Sequence, residues 1–110
     1  MKKVIVINSD TMGNGSGELG KILVGSFLRK LWAHDMKPDT VVFYNAGVKL
    51  LTKDSEVIDA LHELHKAGTD LVACGTCVDY FKLQDTIDVA RVSNMPEIVS
   101  IMMDAQVVTI

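Results

Sequence analysis

The sequence has no apolar run long enough to cross a bilayer, no block of basic residues, and only two cysteines among its 110 residues. A transmembrane helix needs about 20 consecutive apolar residues, so the first absence argues against a membrane-spanning protein. The net charge of −3 argues against nucleic-acid binding, because no basic stripe is available to neutralise phosphates. The stretch VIVIN follows two lysines, but it is too short for a signal peptide and no small-residue cleavage site follows it. These absences predict a cytoplasmic protein.

The two cysteines, Cys74 and Cys77, form a single CGTC motif. The cytoplasm keeps thiols reduced, so a CxxC motif there is more often catalytic or metal-binding than a structural crosslink. A structural zinc ribbon takes a second CxxC, which this chain lacks. The only prolines, Pro38 and Pro96, are not placed to give the cis-proline strand that faces the CxxC of a thioredoxin fold. A metal site within one chain is therefore not expected, and a nucleophilic thiol is the leading interpretation.

Five segments rich in Val and Ile predict strands, and three of them are nearly continuous apolar runs, as in strands covered on both faces. Helical patterns lie between them, which predicts an α/β fold. We expect a three-layer α/β/α sandwich with a mostly parallel five-stranded sheet. The length fits one domain, spanning residues 1–110, with its own core. The predicted strands are residues 3–8, 40–45, 70–74, 88–92 and 106–110.

The first helix is predicted from Gly17 to Trp32, and its apolar face covers about half of the circumference. A helix that packs only on its own sheet needs a narrower face. The pattern therefore indicates either a deep core or a subunit interface, and the sequence favours neither. The apolar positions are Leu19, Leu23, Val24, Phe27, Leu28 and Leu31.

The second helix is predicted to begin near KDSE, with Asp54 or Ser55 as the N-cap, and to end at Gly68. His62 and His65 lie three positions apart and could share a metal ion. However, His65 falls inside the apolar arc and His62 beside it. A histidine packed against the sheet is therefore favoured over a ligand pair.

Three loops follow the carboxyl ends of the first three predicted strands, so we expect them to meet at the edge where open α/β sheets bind ligands. The first, residues 8–20, contains glycines that allow close backbone approach to an anion, but it matches neither a Walker A loop nor the dinucleotide-binding pattern. A plain flexible loop is an equal alternative. The second, residues 45–55, either adds positive charge through Lys49 and Lys53 or is a solvated surface loop. The predicted substrate or anion pocket comprises Asn8, Ser9, Gly13, Gly15, Asn45, Gly47, Lys49, Gly75 and Thr76.

The CGTC motif supplies the predicted catalytic residues, Cys74 and Cys77. Cys74 ends the third strand, where we expect its sulfur to be open to solvent in the crevice. Cys77 falls in the first turn of the next helix, where the helix dipole and free amides favour thiolate over thiol, so its pKa is expected to be lowered. The alternative is a pair of small, buried, unreactive side chains.

Several separated stretches resemble the DsrE/DsrF-like family, and particularly the C-terminal domain of the YedF proteins, which are sulfurtransferase-like and associated with selenium metabolism. They are VINSDTMGNGSGELGKIL, VFYNAGVKLLTKDSEVIDALHEL, ACGTCVDYFKLQD and VSNMPEIV, in that order. The resemblance implies a parallel five-stranded α/β domain that assembles into oligomers and a cysteine that passes sulfur on as a persulfide. It implies Cys74 as the carrier, while Cys77 resolves a persulfide or forms a disulfide with Cys74.

Two features depart from that resemblance. YedF proteins usually have an N-terminal TusA-like domain, which this sequence does not contain, so the chain is either a stand-alone relative or one domain of a longer product. A glycine commonly follows the two aromatic residues after the CGTC motif, whereas Lys82 stands there in this chain. We therefore expect the third helix to end differently.

The leading hypothesis is a sulfur-relay or sulfurtransferase-like protein that holds sulfur, or selenium, as a cysteine persulfide and needs no cofactor. The predicted partners are copies of the same chain, as a dimer, trimer or hexamer, and donor or acceptor proteins such as TusA-like carriers. One alternative is a non-catalytic oligomeric binding or assembly module. Another is a redox protein that cycles the CGTC motif between dithiol and disulfide.

Overall fold

A computed structural model describes the whole chain, residues 1–110. Its strands are β1 (Lys2–Ile7), β2 (Thr40–Phe43), β3 (Asp70–Cys74), β4 (Arg91–Ser93) and β5 (Ala105–Thr109). Its helices are α1 (Gly17–Ala33), α2 (Ile58–Lys66), α3 (Gly75–Tyr80) and α4 (Met95–Met103), and a 3₁₀ segment spans Asn45–Leu51. All strand pairs are parallel and their order is β4-β3-β2-β1-β5, so the predicted α/β class is confirmed. No helix has the length and apolar content needed to cross a bilayer.

The order of the strands explains how the helices are shared between the two faces of the sheet. From β1 to β4 the chain always steps in one direction, and crossovers of one hand then place the connecting helices on one face. The last connection returns from β4 at one edge to β5 at the other, so α4 covers the opposite face. The distribution of buried residues agrees with this arrangement. The first face, which α1 and α2 cover, packs a core of sixteen buried residues that includes residues of both helices. The second face packs only six, and Ile98 of α4 is the one helical residue among them.

Strand alternation decides which side chains join each core. In β3, Leu71 and Ala73 belong to the first face, whereas Val72 and Cys74 belong to the second. The same alternation separates Ile5 from Val4 in β1. The side chains of all four residues of β2 are buried, which fits the prediction of strands covered on both sides.

Two predicted boundaries shift. The strand expected at residues 88–92 forms only at Arg91–Ser93, because the residues before it pair elsewhere. Ile87 forms an antiparallel bridge with Thr52, and the Asp88 amide donates to the Leu51 carbonyl at 2.8 Å. Helix α2 begins at Ile58 rather than near residue 54, because the chain first makes a turn in which the Ser55 amide donates to the Thr52 carbonyl.

The expected position of His65 is wrong. It is exposed, because α2 buries Ala60, Leu61 and Leu64 toward the sheet instead. His62 is half-buried and its Nε2 lies 2.9 Å from a carboxylate oxygen of Asp88, so it ties α2 to the segment before β4. No group of three or more His, Cys, Asp or Glu residues comes close enough together to hold a metal ion.

Candidate functional site

The two cysteines occupy different environments, although they are only three positions apart. Both are free thiols. Cys74 ends β3 and is 2% exposed, whereas Cys77 lies in the first turn of α3 and is half-buried. The expectation that the Cys74 sulfur is open to solvent is therefore wrong in this chain.

The burial of Cys74 follows from the alternation of β3. Its side chain points to the second face, where it packs in one cluster with Val72 and Ile98. Helix α4 lies on this face as it returns to β5, and it contributes Ile98 to the same cluster. The carboxyl end of a parallel strand is thus not sufficient to expose a side chain, since the packing on each face of the sheet also decides what stays open.

Cys77 is held by a backbone contact from the 3₁₀ segment. The amide N–H of Asn45 donates to the Cys77 Sγ at 3.0 Å. Asn45 adopts a left-handed conformation with φ 50°, which asparagine tolerates better than most residues. Asn45, the second residue after β2, and the second cysteine of the motif therefore meet, as expected for loops at the same edge of the sheet.

The pKa of the Cys77 thiol is raised, not lowered as the sequence suggested. Burial is the largest cause, and the neighbouring Cys74 thiol acts in the same direction, while the hydrogen bond from Asn45 opposes both. Cys77 packs between the two hydrophobic cores, so its thiolate loses hydration.

Two glycines let separate backbone segments approach closely around the cysteines. A Cβ atom on Gly47 would lie 2.2 Å from the Ile7 carbonyl oxygen, so the 3₁₀ segment packs directly on the end of β1. A Cβ atom on Gly75, inside the CGTC motif, would lie 2.7 Å from the carbonyl oxygen of Ser93 at the end of β4. Thr76, beside it, is exposed. Steric fit at the strand ends therefore explains both glycines.

Only the start of the first loop, residues 8–20, lies close to the 3₁₀ segment. Ser9 lies next to Gly47, and its hydroxyl group forms a hydrogen bond with Thr11, while Asn8 is half-buried at the end of β1. Gly13 and Gly15 have positive φ and are exposed, with open space where a side chain would be. These two glycines shape a turn, and nothing places them beside the cysteines.

Lys49 contacts an aromatic ring and forms no hydrogen bond with either thiol. Its Nζ is 4.5 Å from the centre of the Phe81 ring, a cation–π contact. It lines a cavity of about 190 Å³ together with Asp10 and Lys21. Phe81 was not predicted, but its spacing of four from Cys77 places both on one side of α3. The second loop is not a solvated loop either, since Val48 and Leu51 of the 3₁₀ segment are fully buried.

Helix α3 ends in the way that a glycine would allow, so the expectation of a different end is wrong. Lys82 has φ 57°, in the left-handed region. Its amide donates to the Asp79 carbonyl at 3.1 Å, and the Leu83 amide donates to the Val78 carbonyl at 2.9 Å. These two bonds form a Schellman motif, and Lys82 occupies the position that most often holds glycine.

The fold and the paired thiols together define a class: a parallel α/β protein with a CGTC dithiol where the central strands end. A sequence model of the DsrE/DsrF-like family matches residues 1–110, and the chain belongs to that family. No curated protein sequence matches it. Membership in the family suggests a function of the sulfur-relay type.

Solved structures share the fold. A protein of unknown function from Methanobacterium thermoautotrophicum has 24% identity and a TM-score of 0.74, with 99% of this chain and 98% of that chain covered. The ychN protein from E. coli has 18% identity and a TM-score of 0.75, with the same coverage. A conserved protein of unknown function from Bacteroides thetaiotaomicron has 14% identity and a TM-score of 0.65, with 99% and 95% covered. At these identities the likeness extends to the fold.

Proposed function

We propose that this protein carries sulfur as a cysteine persulfide on its CGTC motif and passes it to an acceptor thiol. One observation carries the proposal: two free thiols lie one helical turn apart at the carboxyl ends of the central strands, and a backbone amide is bonded to one of them. The suggested relay role of the family supports it. The resemblance to the YedF domain extends the proposal to selenium and to TusA-like partner proteins.

Each step is an exchange at sulfur. A cysteine thiolate attacks the terminal sulfur of a donor persulfide, a new S–S bond forms, and the donor leaves as a thiolate. An acceptor thiolate then attacks that terminal sulfur, and the protein's cysteine leaves as a thiolate. No electrons are gained or lost overall, so the transfer needs no redox cofactor. The resemblance assigns the carrier role to Cys74, with Cys77 as the resolving thiol.

Incubation with glutathione persulfide, followed by alkylation and intact-mass measurement, tests the proposal. We expect a mass gain of one sulfur atom in the native protein and none in the double variant Cys74→Ser/Cys77→Ser. The loss of the gain on treatment with a small thiol would show transfer onward. A wild-type protein that gains no sulfur, or a double variant that gains as much, would remove the proposal.

The closeness of the two thiols also favours a second candidate, a dithiol/disulfide redox protein. Cys74 acts on the pKa of Cys77, so their sulfur atoms are near neighbours. In this case, mild oxidation would remove the mass of two hydrogen atoms, a dithiol reductant would restore them, and no extra sulfur would be held.

Self-association is a further part of the proposal, and α1 supports it. Leu19, Ile22 and Leu23 on this helix are 52%, 61% and 41% exposed, so much of its apolar face is not used by the core of one chain. Contiguous exposed apolar surface of this kind is typical of subunit interfaces. Light scattering during size-exclusion chromatography should show an oligomer, and a monomer at every concentration would contradict it.

A further inference from the structure

We infer that Cys77, and not Cys74, is the thiol that receives sulfur from a donor, and that the backbone amide of Asn45 holds its sulfur atom in place for that exchange. This inference rests on the proposed function for the chemistry, but its statement about which thiol is reachable stands on the fold alone. Cys74 then acts only after Cys77, as a thiol that reacts with Cys77 inside the protein.

The two thiols differ first in how accessible they are to a donor molecule. A donor persulfide on another molecule must bring its terminal sulfur into line with the attacking sulfur, so the attacking atom needs an open approach. Cys74 is 2% exposed and belongs to the hydrophobic core on the second face of the sheet, which also contains Ile98 of α4. Cys77 is half-buried on the first turn of α3, and the residues flanking it, Thr76 and Asn45, are both exposed. Attack by Cys74 would require local opening of the second core.

The hydrogen bond to Cys77 is fixed by the fold rather than by a mobile side chain. Asn45 is anchored on both sides, because the Tyr44 amide donates to the Ile7 carbonyl of β1 at 3.2 Å and the Gly47 amide donates to the Tyr44 carbonyl at 3.0 Å. Asn45 holds a left-handed φ in the conformation in which its amide donates to the sulfur. A bond from an amide to sulfur strengthens as negative charge develops on the sulfur, so this donor favours the thiolate that must form before attack.

The advantage of Cys77 over Cys74 is access to the donor, not acidity. Burial raises the pKa of Cys77, so few molecules hold a thiolate at neutral pH, and the stronger nucleophilicity of a thiolate with a higher pKa compensates for this only in part. We therefore expect its rate of alkylation to rise with pH beyond the ordinary thiol value of 9.0. A profile that levels off well below that value would contradict this part of the inference.

The two thiols can then act in sequence. The Cys77 thiolate attacks the terminal sulfur of R–S–SH, which gives Cys77–S–SH and releases R–S⁻. From there, either an acceptor thiolate takes the terminal sulfur and regenerates Cys77, or the Cys74 thiolate attacks the Cys77 Sγ. The second route forms the Cys74–Cys77 disulfide, expels HS⁻, and requires a dithiol reductant to restore the pair.

Single-cysteine variants separate the two assignments. With glutathione persulfide in limiting amount, we expect Cys74→Ser still to take up one sulfur atom and to hold it on Cys77. We expect Cys77→Ser to gain it at least about tenfold more slowly, because its remaining thiol reacts only through local opening. Peptide mapping should place the sulfur on Cys77. Uptake by Cys77→Ser at the wild-type rate would overturn the inference.

Alkylation with iodoacetamide distinguishes failure of this inference from failure of the proposed function. If no variant accepts sulfur, the relay function is wrong, but the native alkylation rates still decide which thiol is reachable. Cys77 reacting at least about tenfold faster than Cys74 supports the assignment. Equal rates, or a faster Cys74, overturn it.

Substitutions at Asn45 test the amide contact. Glycine accepts φ near 50° and keeps the N–H, so Asn45→Gly in a Cys74→Ser background should leave the pH profile of Cys77 alkylation unchanged. Valine disfavours that conformation, so Asn45→Val should displace the amide and move the profile to higher pH. Circular dichroism confirms that both variants are folded, and Asn45→Ala provides a milder change if the valine variant is not. Identical profiles for the glycine variant and a folded valine or alanine variant would show that the amide has no such role.

Discussion

Two regions of this molecule are held together in different ways. Around the cysteines, main-chain segments touch one another: the 3₁₀ segment packs on the end of β1 at Gly47, and the CGTC loop packs on the end of β4 at Gly75. In a cluster of ion pairs, Arg91 joins the start of β4 to Asp70 of β3 and Glu97 of α4 through side chains, at distances of 2.7 to 2.9 Å. Contacts between main chains leave no room for adjustment, whereas exposed side chains can rearrange.

Two helix ends share one motif but differ in the residue at its left-handed position. Helix α2 ends in a Schellman motif at Gly68, where φ is 100°, and α3 ends in the same motif at Lys82. Glycine adopts the left-handed conformation without steric cost, but lysine does not. The helix that bears the reactive thiol is therefore the one with the less favourable end. Strained backbone of this kind is concentrated at functional sites in many proteins.

The largest expected effect comes from closing the space at Gly47. In Gly47→Ala, the new Cβ atom would lie 2.2 Å from the Ile7 carbonyl oxygen, and neither main chain can move without disturbing β1 or β2. We expect a loss of about 3 kcal/mol in the free energy of unfolding. Urea denaturation measures it. The displaced 3₁₀ segment should also slow native alkylation of Cys77 or change its pH profile, because Asn45 moves with it.

Gly17 provides the matched control, because the same substitution there meets open space at the first residue of α1. Gly17→Ala should be neutral or slightly stabilising, since alanine favours the helix. If both alanine variants had the same stability, the region around the cysteines would not be as rigid as its main-chain contacts indicate.

The next effect has the opposite sign. Lys82→Gly should raise the free energy of unfolding by about 1 kcal/mol, because glycine relieves the left-handed conformation at the end of α3 while both Schellman hydrogen bonds remain. Thermal or urea unfolding measures the gain.

Lys82→Ala removes the same side chain but keeps a Cβ atom, so it separates backbone strain from the loss of the ammonium group. We expect little or no gain in stability from it. An alanine variant as stabilised as the glycine variant would show that the charge, and not the backbone, is responsible.

The sequence predicts much of the fold because the evidence for it is local. The β3 strand falls where the apolar run DLVAC lies, at residues 70–74, and Ser16 caps α1 through its hydroxyl at the expected start. The convergence of strand ends at one edge follows from parallel pairing alone. The order of the strands is not local information, and neither is the antiparallel bridge between Thr52 and Ile87 that shortens β4.

The candidate site is predictable only in part for the same reason. The meeting of the segment after β2 with the CGTC motif follows from topology, and it occurs at Asn45 and Cys77. Which sulfur stays open depends on the core that forms on the second face of the sheet, where residues of three other segments, Val4, Val42 and Ile98, belong to the same cluster as Cys74. The raised pKa of Cys77 depends on the two hydrophobic cores against which it packs, and spacing along α3 does not reveal them.

The smallest effect is expected in the ion-pair cluster, and it depends on pH. Arg91 and, to a lesser extent, the Ser93 hydroxyl lower the pKa of Glu97 from its ordinary value of 4.5. A carboxyl group with a lowered pKa in the folded state stabilises the protein above the unfolded-state value, and that stabilisation is lost as the pH falls through the folded-state value. Solvent screens ion pairs between exposed side chains and leaves them little net effect on stability, so Arg91→Met should be less harmful at neutral pH than Gly47→Ala.

The change in unfolding free energy at acid pH shows whether the ion pair with Glu97 is responsible for the effect of Arg91. The gap in unfolding free energy between the wild-type protein and Arg91→Met should be present at about pH 7 and should shrink below about pH 4, as the carboxyl partner takes up a proton. Arg91→Lys, which keeps the charge but cannot reach both carboxylates in the same way, should fall between the two. A gap that stayed constant from neutral to acid pH would mean that Arg91 acts through the packing of its aliphatic stem, and side chains would then hold this region as rigidly as the main chain holds the cysteines.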